Sequence, residues 1–190
     1  MISEPPAAIS AKAPAPTLII DSREKEPLPF SRLKTRPGTL AAGDYSIAGL
    51  ENRGLFAVER KSIEDLVGCV GVARERFEAQ LLRLRGYSFA RLLIVGTEET
   101  ILQHRYYSAI NPRAVLASLY AFEARYIPVV WSPTPQTAAR LVERYATWFC
   151  REMRQNADLL REDSEVENAE PQKARRLNNE KPESIDMRAG

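Results

Sequence analysis

Two acids and a lysine, Asp44, Glu59 and Lys61, fall where a short antiparallel turn would gather them on one side of a sheet. Leu55-Phe56-Ala57-Val58-Glu59-Arg60-Lys61 has strand-forming character. Asp44-Tyr45-Ser46-Ile47 is its candidate antiparallel partner, and Gly49, Asn52 and Gly54 between them are turn formers. With the turn centred on the Glu51–Asn52 bond, Asp44 stands directly across from Glu59. Opposed residues of this kind have Cβ atoms about 4.5–5.5 Å apart, and like charges there destabilise a sheet. Side chains alternate along a strand, so Lys61 shares the Glu59 face while Arg60 points the other way. A divalent cation held by Asp44 and Glu59, with the Lys61 ammonium beside it, resolves the repulsion. Oxygen ligands and retained water suit Mg²⁺, with Mn²⁺ an expected substitute. Such a centre makes water a nucleophile toward phosphorus, and the cation and Lys61 stabilise charge developing on the phosphate. Spacing leaves a second reading open, in which Asp44 ends a loop and Glu59 and Lys61 are solvated strand residues. A register slip of one residue is enough to send the carboxylates to opposite faces.

The elements that must hold this group can be read on either side of it. Thr17-Leu18-Ile19-Ile20 is a short apolar run that delivers Asp21 at its end, and Arg91-Leu92-Leu93-Ile94-Val95 and Ile127 to Trp131 are further strands. A helix is expected from about Ser62 through Arg85, broken near Gly68 and Gly71, with Phe77, Leu81 and Leu84 on its apolar stripe. Asn111-Pro112 and Thr134-Pro135 are N-cap and first-turn pairs for two more helices. Strands alternating with helices make the chain α/β. Met1 to Pro16, rich in Ala and Pro, and Gln155 to Gly190, polar and charged, are expected as flexible arms around a domain spanning 17–154. The second arm leaves room for a short helical continuation as far as Leu160.

Gly43-Asp44-Tyr45, followed after thirteen residues by Glu59-Arg60-Lys61-Ser62-Ile63-Glu64-Asp65, resembles the G-D-Y and E-R-K-x-x-x-D signature of the XPF/Hef family of structure-specific endonucleases. Ile19-Ile20-Asp21-Ser22-Arg23-Glu24 is similar to that family's opening strand with its D-x-R-E ending, and Arg76-Phe77-Glu78-Ala79-Gln80 to its R-[LF]-x-x-Q helix. The resemblance covers roughly Leu18 to Trp131. It implies a restriction-endonuclease-like fold, a mixed central sheet flanked by helices, and metal-dependent incision of branched DNA such as flaps and forks. It makes Asp44 and Glu59 metal ligands, helped by the Arg60 carbonyl, and gives Lys61 the nucleophilic water or the scissile phosphate to position. Asp21 and Glu24 become accessory acids, and Asp65 one of the essential residues. Ser62-Ile63-Glu64-Asp65 also fits a helix capping box, a structural use of the same acid. Arg74, Arg76 and Gln80 are the candidate DNA contacts, with Arg83 and Arg85 on the same helix; Arg76 falls on the motif. Family nuclease domains pair through their later helices, so a homodimer is expected there, with Tyr120, Phe122, Tyr145, Trp148 and Phe149 as anchors.

Composition agrees with this reading. Residues 155–190 carry 6 basic and 9 acidic side chains, leaving 21 of the 27 Lys and Arg and 16 of the 25 Asp and Glu before them. The basic body suits a polyanionic partner. The two cysteines, Cys69 and Cys150, have neither metal-site nor redox spacing, no segment is apolar enough for a membrane span, and no secretory leader opens the chain. An intracellular protein, cytoplasmic or nucleoid-associated, is expected. The same acids also admit a less selective DNA nuclease, or a catalytically silent DNA-binding or dimerisation scaffold for an active partner. His104, the only histidine, is assigned no role.

Overall fold

A computed structural model describes residues 14–177, with side chains to residue 161. Residues 1–13 and 178–190, which contain the rest of the two expected arms, lie outside the described residues. The chain divides into two compact units at Phe149 and Cys150. The first is a six-stranded sheet with helices, in the order β2-β1-β3-β4-β5-β6. Its strands are β1 (Thr17–Asp21), β2 (Lys34–Gly38), β3 (Tyr45–Ile47), β4 (Phe56–Ser62), β5 (Phe89–Val95) and β6 (Val129–Ser132). β3 runs antiparallel to both β1 and β4, whereas β1–β2, β4–β5 and β5–β6 are parallel, so the sheet is mixed. This is the α/β, restriction-endonuclease-like arrangement.

β4 and β5 are central because their residues can be covered on both faces. Along β4, Ala57 belongs to the main core beneath α1 (Ile63–Val70), α2 (Arg74–Arg85) and α4 (Pro112–Arg125), while Phe56 turns the other way to stack on Phe89 and meet Phe149 of α5 (Pro135–Leu177). Glu59 and Lys61 therefore follow Ala57 onto the α2 side by simple alternation. Phe77 of α2 and Phe122 of α4 meet edge to face at 5.5 Å, tying that helical layer together. The single expected helix over 62–85 is two helices, parted at Gly71–Ala73; its break falls at the later of the two glycines. A short α3 (Glu98–Leu102), capped by Thr97, was not expected. Asn111 caps α4, accepting from the Arg113 amide, as its sequence foretold.

Two corrections concern the ends of the sheet and the chain. β2, Lys-Thr-Arg-Pro-Gly, is almost wholly exposed and contains Pro37, so neither alternation nor propensity marks it; an edge strand tolerates both. The second unit, from Cys150, is the continuation of α5, which is helical to Leu177 and not only to Leu160. Helix formers such as Ala157, Leu159, Leu160 and Arg161 satisfy their backbone within the segment, so helix there needs no core. Asp158 and Arg161 lie 3.8 Å apart on its surface. Three of the suggested dimer anchors are also corrected. Phe122 is fully buried, and Tyr145 and Phe149 pack on Phe89, leaving Tyr120 at 54% and Trp148 at 56% as the exposed pair.

The β3–β4 connection sets the site. Asn52, Gly49 and Gly54, the three turn formers, all have positive φ. Tyr45 pairs with Val58, the register that a turn centred on Glu51–Asn52 requires. Just before β3 the chain bends at Gly43, whose φ is +79° and where a Cβ would stand 3.1 Å from the Val58 carbonyl oxygen and 3.2 Å from the Ala57 Cβ. Gly43→Ala is expected to cost about 1–2 kcal/mol of stability, from the left-handed backbone and the crowding together. Chemical denaturation measures that loss, and activity should fall further than stability because Asp44 is the next residue.

Candidate active site

Asp44 is locked by its backbone before its side chain does anything. Its N–H donates to the Val58 carbonyl at 2.9 Å and its carbonyl accepts from the Asp21 N–H at 2.8 Å, which anchors it between β1 and β4. Its Oδ2 accepts from the Arg60 N–H at 2.7 Å. Asp44 thus stands just outside β3, its N–H bonded to Val58 and its carboxylate to the Arg60 N–H, the residues on either side of Glu59. Tyr45 supports it from below. This ring is fully buried, meets Phe30 edge to face at 5.1 Å, and its hydroxyl accepts from the Leu28 N–H, clipping the β1–β2 connection to the site.

Glu59 is 1% exposed and both of its oxygens are taken. Lys61 Nζ donates to Oε1 and Gln80 Nε2 donates to Oε2, each at 2.5 Å. The Lys61 ammonium also lies 5.5 Å from the Phe77 ring centroid. Burial, followed by the charge of Glu59, lifts the Asp44 pKa to about 7, and burial likewise pushes Glu59 above the ordinary carboxylate value. Burial works against the Lys61 ammonium, yet the charge and hydrogen bond of Glu59, with Asp44 adding, leave its pKa raised. Two desolvated carboxylates and one ammonium therefore share a small volume, one negative charge in excess when all are ionised.

Two recesses meet at this group. The larger, about 500 Å³, is lined by Asp44, Arg60 and Lys61 together with Glu24, Glu26 and Asp65. The smaller, about 280 Å³, is lined by Asp44, Glu59 and Lys61 with Arg76, Gln80 and Arg83. Arg76, Gln80 and Arg83 are four and three residues apart, one stripe of α2 turned toward the carboxylates.

The remaining site candidates separate by what holds them. Asp21, 3% exposed, accepts from the Arg23 side chain at 2.7 and 3.0 Å, from the Arg23 N–H and from the Leu40 N–H at 2.8 Å. Burial opposes its charge, but these donors outweigh it and hold its pKa below the usual value. Its oxygens fasten the segment leading into Gly43, and the residue also lines the smaller recess with Asp44 and Glu59. Glu24 lines the larger recess; its Oε1 accepts from the Glu26 N–H and lies 3.8 Å from the Arg60 guanidinium. Asp65 forms the capping interaction with Ser62, its N–H donating to Ser62 Oγ and its Oδ2 accepting from the same hydroxyl, and it also faces the larger recess. Arg74 is diverted from the site. It pairs with Glu78 at 2.9 Å, donates to Ser118 and lies over the Phe122 ring. Arg83, named with Arg76 among the α2 arginines of the sequence reading, lines the recess wall in its place. Arg23 and Glu26 also reach the recesses and were missed as site residues, although Arg23 lies within the D-x-R-E run. His104 bonds the Ser108 carbonyl through Nε2 and stacks on Tyr106 in a loop, outside both recesses.

Among the described residues no cluster of three or more His, Cys, Asp or Glu side chains is placed to hold a metal. The donor set nevertheless fits a hard divalent cation, because Mg²⁺ needs only one or two carboxylates and fills its octahedron with water. A buried Glu59 and a half-buried Asp44, both held above the ordinary carboxylate value by desolvation and Asp44 further by the charge of Glu59, are a site such a cation would relieve.

The ERCC4 domain matches residues 20–145, well over half of the chain. The chain belongs to the ERCC4 domain family. Asp21, Glu24, Asp44, Glu59, Lys61, Asp65, Arg76 and Gln80 all fall within the matched span. XPF from Aeropyrum pernix is similar in structure, with a TM-score of 0.55 at 24% identity over 69% of this chain and 60% of that one. XPF from Aeropyrum pernix in complex with DNA gives 0.55 at 23% identity over 72% and 66%. At these identities the likeness speaks for the fold of the ERCC4 domain, and this chain spans less than two thirds of either protein. Comparison with curated protein sequences finds no match. No helix among the described residues is long and apolar enough to cross a membrane.

Proposed function

We propose that this ERCC4 domain is a divalent-metal-dependent endonuclease that hydrolyses phosphodiesters in branched or flapped DNA during repair, recombination or replication. The observation that carries the reading is the convergence of Asp44, Glu59 and Lys61 where two polar recesses meet. Asp44 and Glu59 would hold Mg²⁺ or Mn²⁺, with the Arg60 carbonyl a further oxygen donor. When bound, the ion supplies Lewis acidity, lowering the pKa of water and neutralising phosphate charge.

The chain's own residues do the rest. Lys61, held ionised by Glu59, presents an ammonium that stabilises charge developing on the phosphate. Asp44 is fixed by three hydrogen bonds, so its carboxylate needs no reorganisation. Arg76 and Arg83 flank the acids on the wall of the smaller recess and suit neighbouring phosphates of one strand. Asp65 orders the start of α1 beside the larger recess. A homodimer through the later helices is part of the proposal, with Tyr120 and Trp148 its outward-facing aromatics.

Labelled flap, fork, nicked and linear duplexes incubated with Mg²⁺, Mn²⁺ or EDTA test the reading. Incision of flap and fork at least about tenfold faster than of linear DNA, a difference of about 1.4 kcal/mol, is expected with metal only. Cleavage in EDTA, or DNA binding without cleavage in either metal, would contradict it. Arg83→Ala and Arg76→Ala are each expected to raise the DNA dissociation constant and flatten its dependence on log salt by roughly one unit, leaving kcat nearly unchanged. Fluorescence anisotropy across a salt series reads both effects.

A further inference from the structure

Gln80 is the one α2 residue on the recess wall whose side chain is committed to a carboxylate and not to open space. Its Nε2 donates to Glu59 Oε2 at 2.5 Å, across 21 residues of sequence, while Lys61 occupies Oε1. Glu59 is 1% exposed, so water can do little to hold its rotamer, and the two donors together decide where its oxygens aim. The neighbouring helix positions are well anchored. Phe77, one turn earlier, is 2% exposed and lies against the Lys61 ammonium, and Leu81 and Leu84 are fully buried in the core. The stretch of α2 that carries Gln80 is thus fixed against β4, and its amide meets the carboxylate without a mobile backbone behind it.

We infer that Gln80 is a positioning residue for Glu59: its amide fixes the carboxylate that holds the divalent cation, and it is not a contact to DNA. This rests on the proposed metal-dependent reading of the site. An amide is suited to the task because it donates without adding charge, so the ion-binding oxygens keep their full negative charge. A second cationic donor at this place, in addition to Lys61, would leave the carboxylate over-neutralised toward the cation, and an aspartate or glutamate would repel Glu59. Outer partners that orient a ligating carboxylate typically change metal affinity by about 10–100-fold when removed.

The experiment compares wild type with Gln80→Met, which keeps length and volume without the donor, and Gln80→Ala. Mn²⁺ binding to the DNA-free protein is measured by isothermal titration, and flap-DNA binding in EDTA by anisotropy. Thermal melts in EDTA identify which variants are folded, so that Gln80→Met carries the test if Gln80→Ala does not fold. The expected result is Mn²⁺ affinity weaker by about 10–100-fold in the variants, with DNA affinity within about twofold of wild type. The concentration of Mg²⁺ giving half-maximal cleavage should rise in parallel, while the KM for DNA stays put. Unchanged Mn²⁺ affinity would overturn the inference, and unchanged metal binding with weakened DNA binding would return Gln80 to a DNA-contact role. A wild type that neither binds Mn²⁺ nor cleaves sinks the proposed function itself, a result distinct from any difference between variants.

Discussion

Asp44→Asn is expected to abolish cleavage and, in the absence of metal, to make the protein more stable at pH 8. The two effects share one cause. Desolvation, followed by the negative charge of Glu59, raises the folded-state pKa of Asp44 from 3.8 to about 7. Between the unfolded and folded values the native protein binds more protons than the unfolded chain, so stability falls as pH climbs from about 4 to 7. Above that window the full cost of a buried, repelled carboxylate is present; below it there is none. Asparagine is neutral at every pH, and its Oδ1 can still accept the Arg60 N–H that Asp44 accepts at 2.7 Å. The variant should match wild type near pH 4 and exceed it by about 1–3 kcal/mol at pH 8 in EDTA. Adding Mg²⁺ should stabilise wild type, by about 2.7 kcal/mol at a hundred times Kd, and leave the variant behind. Turnover should drop by at least about 10³-fold, since the ion and its charge stabilisation go together. Denaturant titrations at several pH values measure the stability difference, and a variant less stable than wild type at pH 8 would show that the carboxylate is not penalised there.

Lys61→Met is expected to invert the stability effect while also lowering activity. Methionine fills much of the same space over Phe77 but leaves Glu59 Oε1 without its donor, in a position 1% exposed. Removing one partner of a buried charge pair costs about 3–5 kcal/mol when the remaining charge stays ionised. The Lys61 pKa is raised in the folded state, so its stabilisation is fully present below the unfolded value of 10.5 and is lost only as pH rises through the folded pKa. At pH 8 the whole contribution is therefore at stake. Glu59, already raised by burial, should climb further in the variant, so that protonation relieves the deficit at low pH. The destabilisation is expected to be large at pH 8 and to shrink toward pH 5. A deficit independent of pH would mean that Glu59 does not carry the charge. In the proposed reaction the ammonium acts on the reacting phosphate, so kcat should fall by at least about 10²-fold with little change in DNA affinity.

Much of this site was legible because its signals are local. Gly49, Asn52 and Gly54 announce their turns through residue type, and all three adopt positive φ. The Ser62–Asp65 capping box and the Asn111 N-cap are likewise matters of three or four adjacent residues. β2 was not legible, since an exposed edge strand with Pro37 lacks both alternation and apolar character. For Asp21, sequence places an acid at the end of β1, and only the structure shows its oxygens bound to Arg23 and Leu40. The aromatic residues of the later helices were overread, because periodicity identifies an apolar face without saying whether Phe122 or Tyr145 meets this chain's own core or another molecule.

From sequence alone came the Tyr45–Val58 register and the placing of Lys61 beside Glu59, because strand alternation and turn chemistry act over neighbouring residues. Tertiary structure alone decided how α2 is rotated against β4, and with it that Gln80 grips Glu59, that Arg83 lines the recess and that Arg74 turns away to Glu78. The reason is physical: a helix's own sequence defines its stripes, but their orientation depends on packing against strands far along the chain, where Phe77, Leu81 and Leu84 find their core.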